Sequence, residues 1–145
     1  MSIEYYDYDK EKYNFVNFFQ KLYSCSDLTR LHETREQYSF FHSPGKDSDT
    51  KFHKIFYDYM RKNPKEFLSL YKDFIRNEVA IKIKAKDKIL YQKWPTFRIH
   101  LPNNVAVGGW HTDSDYNHPS GEINFIVAVT NMFESNTTIT ESEPG

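Results

Sequence analysis

The sequence predicts an α+β fold: an amino-terminal helical layer packed on a carboxy-terminal, mainly antiparallel sheet. Two observations predict it. The hydrophobic period is close to 3.6 residues from Asp9 to about residue 78, and changes to two from Val79 onward. A chain of 145 residues is also long enough for one domain with a real core, and nothing in it reads as a linker. The expected organisation is therefore a single domain over 1–145, with a helical layer at 1–78 and a β-rich part at 79–145.

The helical half is read as follows. From Asp9, the residues Tyr13, Val16, Phe19 and Leu22 or Tyr23 fall on one stripe. Ser26 or Asp27 caps a second helix carrying Leu28, Leu31 and Tyr38. The turn-rich run His42 to Asp49 is a loop. A third helix places Phe52, Ile55, Phe56, Tyr59 and Met60 inward. Asn63-Pro64-Lys65-Glu66 then starts a fourth, with Asn63 as cap, Pro64 at the first helical position and Glu66 reaching back. That helix buries Phe67, Leu70 or Tyr71, Phe74 and Ile75.

In the second half, Val79, Ile81, Ile83 and Ala85 alternate with Ala80, Lys82, Lys84 and Lys86, the pattern of a strand with one wet face. Further strands are expected at Ile89–Trp94, Phe97–Leu101, Val105–Asp113, Ile123–Thr130 and Thr137–Glu141. Pro102-Asn103-Asn104 is a turn, and Ser114 to Gly121 a polar loop.

Composition excludes several classes of function. Lys plus Arg is 19 and Asp plus Glu is 20, a formal net charge of -1 that argues against binding nucleic acid or an anionic membrane through bulk charge. No apolar run approaches the length of a membrane helix, and the acidic, tyrosine-rich start lacks the features of a signal peptide. The one cysteine, Cys25, cannot form an internal disulfide, so the expected setting is cytoplasmic. Aromatic residues make up 17% of the chain, enough to build a core from few large side chains.

The stretch that can carry chemistry is Gly108-Gly109-Trp110-His111-Thr112-Asp113. On a strand, His111 and Asp113 point to one face, so an imidazole nitrogen and a carboxylate oxygen can converge on one metal ion. The bland reading is a surface pair with no metal. Arg98 is a natural carboxylate binder through its planar fork, or an exposed ion pair. His100 shares its face. Gly108-Gly109 lacks the Lys-Ser/Thr and following helix of a phosphate loop. Lys82, Lys84, Lys86 and Lys88 read as the solvated side of an edge strand.

From Phe97 to Gly145 the chain resembles the first half of the double-stranded β-helix, a cupin-like barrel, of Fe(II)/2-oxoglutarate-dependent dioxygenases. It looks closest to the phytanoyl-CoA hydroxylase-like and antibiotic-biosynthesis oxygenases. Trp110-His111-Thr112-Asp113 matches the family's metal-binding H-x-D, Ile123–Thr130 its third strand, Asn131 to Ile139 the next turn and strand, and Glu143-Pro144-Gly145 the Pro-Gly that follows. The resemblance implies an oxidoreductase that hydroxylates a small organic molecule with Fe(II) and 2-oxoglutarate. His111 and Asp113 would hold iron, and Arg98, His100 or Asn124 would face the co-substrate. The family's distal histidine ligand and co-substrate arginine have no counterparts, so the chain looks like an amino-terminal part lacking full activity. An incomplete barrel would leave open sheet edges, for which a homodimer is the expected remedy. The alternative is a non-catalytic cupin-like fragment or a dimeric binding module.

Overall fold

In the computed structural model, residues 3–34, 50–102, 113–119 and 121–140 are described. Three α-helices form its frame: α1 Phe15–Tyr23, α2 Lys51–Lys62 and α3 Lys65–Phe74. Asn14 starts α1 by accepting the Asn17 amide on its side-chain oxygen at 2.8 Å. At its end Ser24 takes a left-handed conformation (φ 51°). There the Ser24 and Cys25 amides donate to Lys21 and Gln20, the paired bonds of a Schellman turn. Thr50 caps α2, its hydroxyl accepting the His53 amide at 3.3 Å.

Only part of the second predicted helix is described. Leu28–Glu33 is a 3-10 turn capped by Asp27, whose carboxylate accepts the Thr29 amide at 3.0 Å. The Thr29 hydroxyl and amide hold that carboxyl below its ordinary range. The loop expected from His42 to Asp49 lies outside the described residues, as does Tyr38. The third and fourth helices are found nearly as the periodicity predicts. Asn63 closes α2 instead of opening α3, and Pro64 takes the cap position, its carbonyl accepting the Leu68 amide at 2.8 Å.

The core is a stack of rings between the helices. Tyr13, Phe15, Phe18, Phe19, Phe56, Met60, Phe67 and Phe74 are buried together. Phe56 is fully enclosed, with ring centroids 5.8 Å from Phe19, 5.4 Å from Phe67 and 4.9 Å from Phe97. Cys25, Leu31 and Phe52 form a smaller cluster beside it. Most ring pairs are edge-on or tilted, the arrangement the aromatic quadrupole favours.

The sheet predicted for the second half is not there: among the described residues no segment forms a β-strand. The cupin-like, double-stranded β-helix barrel is therefore corrected to a helical layer overlaid by extended, unladdered chain. Val79–Lys86 shows the reason most clearly. No Gly or Pro occurs between Phe74 and Trp94, so the helix continues through a π-helical turn, Ile75–Val79, into a last α-helical turn, Ala80–Lys82. A second Schellman turn then ends it. Lys84 is left-handed (φ 52°), the Lys84 amide donates to Ile81 and the Ala85 amide to Ala80. Ile81 and Ala85, expected on a buried strand face, are exposed.

Residues 89–101 and 122–133 form neither helix nor strand, with bends at 93–94 and 129–130, and pair with no neighbouring strand among the described residues. They are fixed by side chains of the helices instead. The Tyr71 hydroxyl donates to the Gln92 carbonyl at 3.0 Å, and the Phe97 amide donates to the Tyr57 hydroxyl at 3.2 Å. Phe97, Val127 and Val129 pack on the main core, and Ile99 and Leu101 on the smaller cluster. Residues 137–140 form no strand, and Ile139 is exposed. With no sheet among the described residues, the open sheet edges on which a homodimer was expected are absent from them too.

Candidate functional site

The best-defined segment that carries expected site residues is 94–101. Its anchor is Phe97, whose ring lies 5.2 Å from Phe19, 6.2 Å from Tyr23, 5.4 Å from His53 and 4.9 Å from Phe56. Helices α1 and α2 supply all four partners. Because extended chain alternates sides, anchoring Phe97, Ile99 and Leu101 inward turns Arg98 and His100 outward, where both are exposed. The structure thus places two of the three expected co-substrate residues on one side of one segment. Asn124 is exposed on a different segment, 122–133.

Below this segment lie His53, which periodicity did not single out, and Tyr23, which it offered with Leu22 as the end of the first stripe. His53 is 1% exposed, with Nδ1 2.6 Å from the Thr50 hydroxyl. Tyr23 donates its hydroxyl to the Phe52 carbonyl at 2.9 Å. Burial pushes the Tyr23 hydroxyl far above tyrosine's ordinary range, with a smaller push from Tyr57. The available signal for these anchors was compositional: tyrosines at helix positions next to phenylalanines can present one polar atom to an incoming backbone.

The expected metal pair falls at the margin of what is described. His111 lies outside the described residues, with most of the predicted strand Val105–Asp113. Asp113 does not end a strand; it opens a 3-10 turn, Asp113–Tyr116. The loop that follows is closed by His118 and Glu122, at 2.8 Å between Nδ1 and Oε2, and by the Glu122 amide donating to Pro119 at 3.0 Å. Asn117 takes a left-handed conformation (φ 61°) that an asparagine tolerates in such a turn. Among the described residues no group of three His, Cys, Asp or Glu side chains is placed to hold a metal ion. The described residues therefore do not by themselves form a site that fits Fe(II).

A frame of three aromatic-cored helices, with extended chain tied across it by tyrosine hydroxyls, is the architecture these residues define. No family model matches the chain, and no solved structure matches it. It is similar to a protein of Streptomyces griseus, the streptomycin biosynthesis protein StrG: 36% identical over 98 residues, or 68% of this chain. Those residues make up 46% of that protein, so the chain spans about half the length of the relative it matches. No helix among the described residues is long and apolar enough to cross a membrane.

Proposed function

We propose that this chain serves in the biosynthesis of a small organic molecule, and that the reaction is an Fe(II)- and 2-oxoglutarate-dependent oxygenation. His111 and Asp113 would supply two ligands. The observation that carries the biosynthetic role is the 36% identity over 98 residues to a protein named for streptomycin biosynthesis. The reaction class rests on the His111-Thr112-Asp113 spacing in the sequence. In this reading the helices act as a platform. Phe97 and its ring partners hold residues 94–101 in place, and Arg98 and His100 on the exposed side of that segment would bind an anionic group. The small molecule is the partner, in a cytoplasmic setting that the lone cysteine supports.

Anaerobic titration of the chain with Fe(II) and 2-oxoglutarate, followed by visible charge-transfer absorption, tests this directly. The expected result is saturable absorption that His111→Ala and Asp113→Ala each weaken at least tenfold. Absorption that is absent, or unchanged in both variants, overturns the reading. A second reading is a non-catalytic binding module. It predicts small-molecule binding with no dependence on Fe(II).

A further inference from the structure

We propose that residues 82–93 form a docking surface for a separate, acidic protein partner. The segment carries Lys82, Lys84, Lys86, Lys88 and Lys93 against a single acidic residue, Asp87, in a chain whose formal net charge is only -1. It is an island of positive charge on a nearly neutral molecule.

The fold concentrates that charge. The long helix that starts with α3 ends at Lys82, and the chain reverses in the Schellman turn at Lys84. It is tied back to the same helix at Tyr71, whose hydroxyl holds the Gln92 carbonyl and whose ring meets Tyr91 at 6.0 Å. From Tyr71 to Lys82 the helix spans roughly 16 Å at ~1.5 Å per residue. The lysines of the returning chain are therefore displayed along about that length, and it is between neighbours closer than the Debye length of ~8 Å at physiological salt that their fields add. Among the described residues no carboxylate forms an ion pair with any of the five; Arg30–Glu33 and Arg61–Asp58 lie on other elements, and on the same helix Asp73 is paired with Arg76. Lys82 lies over the ring of Tyr6 and Lys93 over that of Trp94, contacts that orient the two cations without neutralising them.

The same segment exposes apolar side chains. Leu90 is wholly exposed and Tyr91 46% exposed, and Ile81, just before the segment, is 67% exposed. An exposed leucine beside a tyrosine whose ring is propped edge-on against Tyr71, among lysines, suits an interface with an apolar centre and a charged rim. Charge complementarity specifies the partner as acidic. The apolar residues are scattered between lysines instead of gathered on one helix face that could sink into acyl chains, which favours a protein over a lipid surface.

The test measures fluorescence anisotropy of a labelled peptide of alternating Glu and Leu with the full chain, beside co-sedimentation with phosphatidylserine-containing vesicles. The expected result is saturable peptide binding that weakens steeply with added salt. It should fall about tenfold in the triple variant Lys84→Glu, Lys86→Glu, Lys88→Glu, roughly the combined effect of three exposed ion pairs. Leu90→Ser should weaken it severalfold, and vesicles should not pull the chain down. These side chains are exposed, so unchanged circular dichroism and melting confirm that the variants fold. No saturable peptide binding, binding indifferent to charge reversal, or preference for vesicles overturns the proposal.

Discussion

Replacing Phe97 by alanine is the sharpest test of how the extended chain is held. Phe97 is half-buried, and its ring meets Phe19, Tyr23, His53 and Phe56 at centroid distances from 4.9 to 6.2 Å. Truncating a fully buried phenylalanine costs about 3–5 kcal/mol, so partial burial here scales the loss to about 2–3 kcal/mol. The backbone bond from the Phe97 amide to the Tyr57 hydroxyl survives the change and gives nothing back. With a urea slope of ~2 kcal/mol per molar, the midpoint of unfolding should drop by about 1–1.5 M, read by far-ultraviolet circular dichroism. Hydrogen exchange should at the same time speed up at residues 98–101 more than within α1. A loss below ~0.5 kcal/mol, the usual range for an open surface position, would refute the claim that this ring anchors the segment.

Two further outcomes follow from the same packing. Phe56→Ala, at a position with no exposed surface, should cost about 3–5 kcal/mol, whereas Ile123→Ser, at 61% exposure, should stay within ~0.5 kcal/mol in the same urea titration. Stability should also fall at alkaline pH. The Tyr23 hydroxyl is raised in the folded state by burial, and Tyr8 and Tyr71 are raised for the same reason. A group raised on folding contributes fully below its unfolded value and loses that contribution as pH climbs past it, so the decline begins near pH ~10. Tyr23→Phe should flatten that decline, and an equally steep loss in the variant would remove Tyr23 as a cause.

How far the sequence could be read differed between the two halves, for physical reasons. In α2, Phe52, Phe56 and Met60 fall four apart, and all three are buried. A stripe that regular leaves one orientation for a helix. In α1 the stripe was set one residue off: Val16 is 37% exposed, while Phe15 and Phe18 are buried beside Phe19. With aromatics at 15, 18 and 19 the inward face has two near-equal choices by hydropathy, and packing against Phe67 and Phe74 decides between them. Both helix ends closed by Schellman turns were hidden, because Ser24 and Lys84 occupy the left-handed position where glycine is the usual signal.

The candidate site was legible in its alternation and not in its partners. Phe97, Ile99 and Leu101 do point inward and Arg98 and His100 outward, as a period of two requires. The inference from that period to a sheet is the step that fails. Alternation records only that extended chain has one covered side; it does not say what covers it. Here α1 and α2 provide the cover, and a hydroxyl of Tyr57 takes the amide that a neighbouring strand would have taken. The same residue pattern can therefore rest on a helical layer or in a ladder, and what distinguishes them is the backbone partner. That places the weight on Tyr57 and Tyr71, the two tyrosines whose hydroxyls bond the backbone of the overlying chain. They set the line along which Arg98 and His100 are held, so the exposed side of segment 94–101 depends on the helices beneath it.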